Sequence, residues 1–335
     1  MGAEVEELAG FPGSDRADTL LESAAAQDLP PQLLDLIEEY EELSESRPRF
    51  MWRWVHTLAP EFTLPFVPES KREEIHRIKT TATLFITLLD DLLEKEGDRV
   101  TYEEAAKVPL SHYATDFNRE GIRSEHLRMT SRVWDVIRQT LNGTPRSEEL
   151  WTVFEFDLKQ AMAAIEYSYF VNTNPALATY DELMLYDSNN MMHFPYSDID
   201  LMYVDSFPDE TLSTLRRTVF QAQRMARIGN WIMTWERELN EGDISSGVVL
   251  CALENDVITI EDIKRAKVED DPDAWQRIID QINDADVEHQ LLVQWRQHHD
   301  TLVEMTDQFD SIDIMPYVDG TETILRHHLA AKGQL

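Results

Sequence analysis

Apolar and polar residues alternate with a helical period along most of the chain. From Pro31 the run LLDLIEEYEEL places apolar residues three and four positions apart, which is the spacing of one face of an amphipathic helix. The same period predicts helices over residues 69–94, 122–142, 147–171, 179–202, 209–240, 244–255, 259–267, 272–309 and 317–331. Strand-like alternation is scarce, so the sequence predicts an all-α fold, a single helical bundle around a central cavity.

The first residues lack this period. Residues 1–29 mix glycine, serine, alanine and acidic residues and end just before Pro30 and Pro31. This composition predicts a flexible acidic leader over residues 1–29, followed by one α-helical domain over residues 30–335. The 335 residues, of which 42% are hydrophobic, are sufficient for one large core.

Two sets of oxygen-bearing side chains interrupt the apolar helices: Asp90, Asp91 and Glu94 in the first, and Asn230, Thr234 and Glu238 in the second. Positions four and eight apart lie on nearly one face of a helix, so the second set directs an amide, a hydroxyl and a carboxylate toward one point. Mg²⁺ prefers oxygen ligands and is usually completed by waters and substrate phosphates. The two sets therefore predict a site for Mg²⁺ and a diphosphate between two helices.

The order and spacing of these sets resemble the two metal motifs of class I terpene synthases of the bacterial or archaeal type, DDxx(D/E) and a later N-x-x-x-(S/T)-x-x-x-E. The resemblance implies that all six residues are metal ligands, with Asp90, Asn230, Thr234 and Glu238 central to catalysis, and that three Mg²⁺ ions bind with the substrate. In the family the second aspartate, here Asp91, often forms an ion pair instead. Outside the metal motifs the resemblance covers nearly the whole chain, but loosely.

The resemblance is incomplete at the residues that would bind the diphosphate. Many bacterial members carry a sensor arginine just before a helix break, whereas this chain has Tyr186 there, with residues 187–190 at the expected break. The family's C-terminal Arg-Tyr pair would follow Leu335. Arg237 stands where many members have a diphosphate-binding lysine, and Arg227 lies one turn before Asn230. We therefore expect Arg237, Tyr186 and Arg227 to contact the diphosphate.

The implied reaction is the ionisation of a linear prenyl diphosphate and the cyclisation of its allyl cation to a hydrocarbon or alcohol. The expected cavity-lining residues are Phe85, Thr87, Asn190, Met191 and Phe194. The favoured substrate is the C20 geranylgeranyl diphosphate, and the alternative is the C15 farnesyl diphosphate. Prenyl chain elongation is less favoured because that family uses two aspartate-rich motifs. A noncatalytic interaction protein with relic motifs is a further alternative, supported by the missing arginines.

The charge of the chain restricts its partners and setting. A formal net charge of −34 disfavours nucleic acid and anionic membrane surfaces, because both would be repelled. The acidic, lysine-poor composition favours a high-salt cytoplasm. The single Cys251 excludes an intramolecular disulfide, and no apolar run reaches the roughly 20 residues of a membrane helix. The resemblance implies a monomer or homodimer. The preference for a C20 substrate rests only on the predicted halophilic origin.

Overall fold

The computed structural model describes residues 15–44, 47–269 and 272–333, and these residues contain helices and no strand. The helices are α1 (Asp15–Ala26), α2 (Pro31–Leu43), α3 (Arg49–Leu58), α4 (Arg72–Asp90), α5 (Arg99–Ala105), α6 (Ser124–Leu141), α7 (Ser147–Thr173), α8 (Tyr180–Tyr186), α9 (His193–Met202), α10 (Asp209–Asn240), α11 (Gly247–Glu254), α12 (Ile260–Glu269), α13 (Pro272–Asp284), α14 (Val287–Thr306) and α15 (Met315–Ala331). Short 3-10 turns cover Glu69–Lys71, Pro175–Leu177 and Asp187–Met191, and a π-helical turn covers Asp91–Lys95. The predicted all-α bundle is confirmed.

Part of the predicted flexible leader is a helix. Helix α1 packs against α3 and α15, and its Ala24 is fully buried in a cluster with Trp54 and Leu58. The apolar face of α1 is short, so it gains its stability from these tertiary contacts more than from its own sequence. The leader prediction is therefore corrected for Asp15–Ala26, and residues 1–14 lie outside the described residues.

Two predicted long helices are interrupted. The predicted helix over residues 272–309 is divided into α13 and α14 at Asp286, whose φ is 53°. The apolar period continues on both sides of this left-handed residue, which is why the pattern did not reveal the interruption. The predicted helix over residues 179–202 is divided by the 3-10 turn Asp187–Met191 and by Met192, whose φ is 63°. This second break lies where the sequence placed it.

Helix α4 forms one wall of the bundle and carries the first polar set at its end. Its apolar residues pack it against α3, α6, α7 and α9. After Asp90 the backbone widens into the π-helical turn, which Gly97 ends with a φ of 63°. The Asp98 carboxylate then accepts a hydrogen bond from the Thr101 amide at 3.0 Å and caps α5. Such π turns occur frequently at functional sites.

Helix α10 forms the facing wall and carries the second polar set. It has 32 residues and packs against α9, α14 and α15. Gly242 (φ 84°) follows it, and the Ser246 hydroxyl caps α11 by accepting from the Val248 amide at 3.3 Å. Helices α3, α4, α9, α10 and α15 together surround one cavity of about 670 Å³.

A buried ion pair fixes the loop below this cavity. Lys79 of α4 and Asp200 of α9 are fully buried, and their Nζ and Oδ2 atoms are 2.8 Å apart. Lys79 also donates to the Phe62 carbonyl at 2.9 Å, and the Leu64 amide donates to Asp200 at 2.9 Å. These bonds hold the loop so that Phe62 lines the cavity.

None of the described helices is long and apolar enough to cross a membrane.

Candidate active site

The first polar set divides between the cavity and the protein interior. Asp90, the last residue of α4, and Glu94, in the π-helical turn, both line the cavity. Asp91 does not line it. Its carboxylate accepts hydrogen bonds from the Tyr40 hydroxyl at 2.6 Å and from Arg47 Nε at 3.1 Å, and it is buried. The predicted place of Asp91 beside the other ligands is therefore corrected, because its two oxygens are bonded to α2 and to the connection that follows it.

The second polar set lies together on the cavity side of α10. Asn230, Thr234 and Glu238 all line the cavity, as their spacing predicts. The Thr234 hydroxyl donates to the Asn230 carbonyl at 2.9 Å, and the Asn230 side-chain oxygen accepts from Arg227 Nη1 at 2.6 Å. Asp90 and Glu94 line the same cavity, so the structure brings five of the six predicted ligands to one place.

The cavity carboxylates are held in an environment that disfavours their negative charge. Burial raises the pKa of Glu94 well above its ordinary value, and the neighbouring Asp90 and Asp243 raise it further. Burial and then Asp243 raise the pKa of Glu238 to about 7. One buried oxygen of Glu94, Oε1, has no hydrogen-bond partner. A cation between these groups would offset the cost of burial and the repulsion between carboxylates, and it would give Glu94 Oε1 a partner.

The donor set fits Mg²⁺ only if other oxygen atoms complete it. Within residues 15–44, 47–269 and 272–333, no three His, Cys, Asp or Glu side chains are grouped closely enough to hold a metal ion by themselves. Asn230 and Thr234 add an amide and a hydroxyl oxygen to the carboxylates. This mixture of oxygen donors, with an incomplete protein shell, is the pattern in which Mg²⁺ retains waters and takes substrate phosphates as ligands.

Basic side chains border the acidic end of the cavity. Arg227 is buried. Its Nε donates to Asp187 Oδ2 at 2.5 Å, and its Nη1 donates to the Asn230 side-chain oxygen at 2.6 Å. Arg237 lies at the rim and pairs with Glu241 at 2.9 Å. Arg47, which no motif in the sequence indicates, also lines the cavity and donates to Asp90 at 2.8 Å. Two of the three expected diphosphate contacts, Arg227 and Arg237, thus lie at the site.

Tyr186 is the third expected contact, and the structure places it elsewhere. Its side chain is exposed and packs on Tyr167, with ring centroids 5.1 Å apart. The residue that follows, Asp187, is fully buried and directs its carboxylate to Arg227 and to Trp231 Nε1. The prediction for Tyr186 is corrected because the break turns Asp187, and not Tyr186, toward α10.

The cavity walls are mostly apolar. Three of the expected lining residues, Thr87, Asn190 and Met191, are present there. Phe85 instead packs against Trp134 at 5.4 Å, and Phe194 packs against Phe220 at 6.2 Å, so these two predictions are corrected. The apolar and aromatic residues that do line the cavity are Met51, Trp54, Val55, Leu58, Phe62, Ile86, Met192, Tyr196, Ala226 and Met233.

The helical spacing of α4 indicates which of its residues line the cavity. Thr83, Ile86, Thr87 and Asp90 are separated by three, one and three residues, and all four line the cavity. They share one helix face with Asp90. Phe85 lies five residues before Asp90, which places it on a different face. Taking Asp90 as the reference would therefore have predicted Thr83 and Ile86 instead of Phe85.

Two neutral histidines complete the walls. His193 lines the cavity, and its Nδ1 is 2.9 Å from the Tyr317 hydroxyl, while Nε2 has no hydrogen-bond partner. His328 lines the cavity from α15 and packs on Trp54 at 5.3 Å. Burial lowers the pKa of each imidazole to about 3. Both side chains are therefore uncharged near neutral pH.

The fold is similar to that of two solved proteins. One is the polyprenyl synthetase from Streptomyces coelicolor A3(2), with a TM-score of 0.55 and 16% sequence identity over 98% of each chain. The other is a variant of cucumene synthase, with a TM-score of 0.52 and 12% identity over 92% of this chain and 100% of that one. No protein-family model matches the sequence, and no curated protein matches it. At such low identities the similarity demonstrates the fold alone.

Proposed function

We propose that this protein is a Mg²⁺-dependent terpene cyclase that ionises a linear prenyl diphosphate and cyclises the resulting allyl cation. The observation that carries the proposal is the single cavity with two chemically different parts. Asp90, Glu94, Asn230, Thr234 and Glu238 supply oxygen donors, and apolar side chains from α3, α4, α9, α10 and the connecting segments form most of the remaining wall. A diphosphate with a long hydrocarbon chain has the same division into two parts.

The proposed metal ligands are Asp90 and Glu94 on one wall and Asn230, Thr234 and Glu238 on the other. When bound there, Mg²⁺ supplies Lewis-acid stabilisation of the negative charge on the leaving diphosphate. Hydrogen bonds within α10 orient the ligand oxygens. The Thr234 hydroxyl donates to the main-chain carbonyl of Asn230 at 2.9 Å. The family resemblance implies three ions in the presence of substrate.

The proposed diphosphate contacts are Arg227 and Arg237. Arg227 is held by Asp187 in the break between α8 and α9, so its guanidinium is fixed before a ligand arrives. A guanidinium forms two parallel hydrogen bonds to phosphate oxygens, which favours binding of the diphosphate and stabilises its charge as the carbon–oxygen bond breaks. This arrangement supplies positive charge where the sequence lacks the family's sensor arginine.

The apolar wall has the properties that cyclisation requires. Trp54, Phe62 and Tyr196 present aromatic rings to the cavity, and ring faces stabilise nearby cations. The surrounding methionine, leucine and isoleucine side chains exclude water, which would otherwise quench the cation early. The neutral state of His193 and His328 keeps positive charge out of this part of the cavity.

We propose geranylgeranyl diphosphate as the substrate, with farnesyl diphosphate as the alternative. The similarity to a polyprenyl synthetase supports prenyl chain elongation as a second candidate reaction. The Asn-Thr-Glu set on α10 favours cyclisation, because elongating enzymes use a second aspartate-rich motif at that position. Adding isopentenyl diphosphate to the assay separates the two reactions, since only elongation consumes it.

We propose a cytoplasmic protein of a halophilic organism, because the net charge of −34 is best tolerated where salt screens repulsion. We propose a monomer or a homodimer, which sedimentation in high salt distinguishes.

Thermal unfolding with and without ligands tests metal-dependent diphosphate binding. Mg²⁺ and inorganic diphosphate together should raise the unfolding midpoint by about 4 °C or more at saturating concentration, and either alone should raise it much less. Asn230→Ala should abolish the joint effect. The matched control is Asn240→Ala, which changes an exposed asparagine of the same helix whose side chain donates to the Glu236 carbonyl at 2.9 Å. An equal shift in both variants would contradict the proposed ligand set.

A further inference from the structure

Each metal motif has a guanidinium bonded to one of its ligand oxygens. Arg47 Nη2 donates to Asp90 Oδ2 at 2.8 Å, and Arg227 Nη1 donates to Asn230 Oδ1 at 2.6 Å. If Asp90 and Asn230 bind Mg²⁺, as the proposed function holds, these are oxygens that the ion requires. The two arginines therefore occupy the positions of counter-cations in the protein without metal.

Arg47 differs from Arg227 in where it is attached. Arg227 belongs to α10 itself, whereas Arg47 lies in the connection between α2 and α3. Its side chain is 18% exposed and lines the cavity. Arg47 therefore joins the cavity carboxylate Asp90 to the connection between α2 and α3.

Arg47 contacts two carboxylates. A metal ion in the cavity would leave its contact with Asp91 in place and would compete for its contact with Asp90. Its Nε donates to Asp91 Oδ1 at 3.1 Å, its Nη2 lies 3.0 Å from the same oxygen, and the other Asp91 oxygen accepts from Tyr40 at 2.6 Å. Asp91 is turned away from the cavity, so a metal ion in the cavity does not compete for it. The contact with Asp90 is the one that such an ion replaces. A guanidinium has five N–H donors in a fixed plane, so it keeps the Asp91 contact while other donors become available.

The charges around Asp90 determine which negative group the N–H donors of Arg47 bind after they leave Asp90. The cavity carboxylates Asp90, Glu94, Glu238 and Asp243 lie at the same end as Arg47. Once metal ions occupy the carboxylates, the nearest unbalanced negative charge is the diphosphate. A guanidinium forms short, charge-assisted bonds to phosphate oxygens.

We propose that Arg47 holds the Asp90 carboxylate while the site lacks metal and becomes a diphosphate-binding residue once Mg²⁺ has taken Asp90. Arg47 thereby provides, from the other side of the cavity, a positive charge that the segment before the α8–α9 break lacks. This inference rests on the proposed function. It assigns to Arg47 two effects of opposite sign: competition with Mg²⁺ alone, and cooperation with Mg²⁺ and diphosphate together.

The opposite signs make the inference testable by binding measurements without turnover. In Arg47→Gln, the dissociation constant for Mg²⁺ alone, measured calorimetrically, should fall by about threefold or more, because a competing cation is gone. The dissociation constant for inorganic diphosphate at saturating Mg²⁺ should rise by about tenfold or more, because a charge-assisted contact is lost. The matched control is Arg49→Gln. Arg49 is two residues away, exposed, and paired with Glu41 and Glu38 on the surface, so both constants should stay unchanged.

Other outcomes separate this inference from the proposed function. Weaker or unchanged Mg²⁺ binding in Arg47→Gln, with normal binding in the unsubstituted protein, would overturn the role of Arg47 and leave the proposed function standing. A purely structural role would weaken both equilibria. Failure of the unsubstituted protein to bind Mg²⁺ with diphosphate would overturn the proposed function and this inference together.

A second variant serves if Arg47→Gln does not fold. Arg47→Lys keeps the charge but has a single donor group in place of the planar fork. It should retain Mg²⁺ binding near the unsubstituted value and weaken diphosphate binding relative to the unsubstituted protein, because the planar fork is lost. Loss of Mg²⁺ binding in a folded Arg47→Lys protein would overturn the inference.

Discussion

The carboxylates at the cavity end of α4 and α10 are the residues whose chemistry depends most on a bound cation. Glu94 and Glu238 are half-buried and lie close to Asp243, and burial, followed by neighbouring carboxylates, raises their pKa values. Arg47 and Arg227 offset part of the negative charge by pairing with Asp90 and Asp187. A bound cation would favour the charged form of Glu94 and Glu238, so its binding is coupled to the release of protons.

Mg²⁺ affinity should increase with pH up to about 7. The pKa of Glu238 is raised to about 7 by burial and by Asp243. Below that pH the carboxyl is protonated and cannot bind the ion, so affinity should fall by up to about tenfold per pH unit for one displaced proton. Calorimetric titration with Mg²⁺ alone between pH 5.5 and pH 8, in buffers of different ionisation enthalpy, measures both the affinity and the proton release.

Glu238→Gln is the matched control for this pH effect. Glutamine keeps the size and one oxygen donor but has no titrating proton, so the variant should bind Mg²⁺ more weakly and with a smaller pH dependence. Identical pH profiles for the two proteins would contradict the assignment of Glu238 as a ligand.

Single residues also show how far spacing alone predicts a site. The four-residue steps of Asn230, Thr234 and Glu238 were sufficient to predict one face because α10 is regular there. Tyr186 was misplaced because the rotation of the chain through the 3-10 turn depends on the burial of Asp187 beside Arg227. Arg47 was missed because no periodic pattern connects a loop residue with Asp90, 43 positions later in the printed sequence. Contacts between distant segments come from tertiary packing, which periodicity does not describe.

At the scale of helices, the close approach of α11 to α10 helps to hold Arg227 in position at the site. Gly247 begins α11 beside Trp231, which is fully buried and donates to Asp187. Asp187 in turn holds Arg227. A side chain at position 247 would therefore disturb both the packing of two helices and the polar contacts behind the cavity.

Gly247→Ala should destabilise the protein by about 1–3 kcal/mol, the usual cost of overpacking a core. A Cβ atom there would lie 2.2 Å from a Trp231 ring carbon, and the buried indole has no room to move away. Gly143→Ala is the control because its nearest neighbour would be the Thr140 carbonyl at 4.0 Å. Urea unfolding of both variants measures the difference, and equal free energies of unfolding would contradict the packing described.

Helix boundaries were predicted well where the apolar period itself stops, and poorly where it does not. Helices α6, α7 and α10 agree with their predicted ranges to within two residues at each end. The division between α13 and α14 was missed because one left-handed residue, Asp286, breaks the backbone without breaking the pattern. Helix α1 was missed because its apolar face is completed by α3 and α15, which lie far away in sequence.

At the scale of the whole molecule, the net charge of −34 should make stability depend on salt. Raising KCl from 0.1 M to 2 M shortens the Debye length from about 10 Å to below about 3 Å and weakens repulsion between surface carboxylates. The thermal unfolding midpoint should rise by about 4 °C or more. Sucrose at equal osmolality is the control, because it stabilises by exclusion without screening charge. An equal or smaller rise in KCl would contradict the halophilic assignment.

The whole-molecule architecture also limits what the sequence can reveal about the product. The bundle and its two polar walls follow from periodicity and spacing. The shape of the cavity arises from side chains of α3, α4, α9, α10 and α15 together, so substrate length and ring pattern depend on packing between segments that are separated in sequence. Thr83 and Tyr196, whose hydroxyls are 2.6 Å apart, are one such contact in the wall.

The most direct test of the proposed reaction is product analysis by gas chromatography–mass spectrometry. Purified protein is incubated in high salt with Mg²⁺ and, separately, geranylgeranyl and farnesyl diphosphate, beside Asp90→Ala and Asn230→Ala. We expect a cyclic hydrocarbon or alcohol from the C20 substrate that is lost in both variants. Folded protein that converts neither substrate, or that makes only a longer linear diphosphate when isopentenyl diphosphate is added, would contradict the proposed reaction.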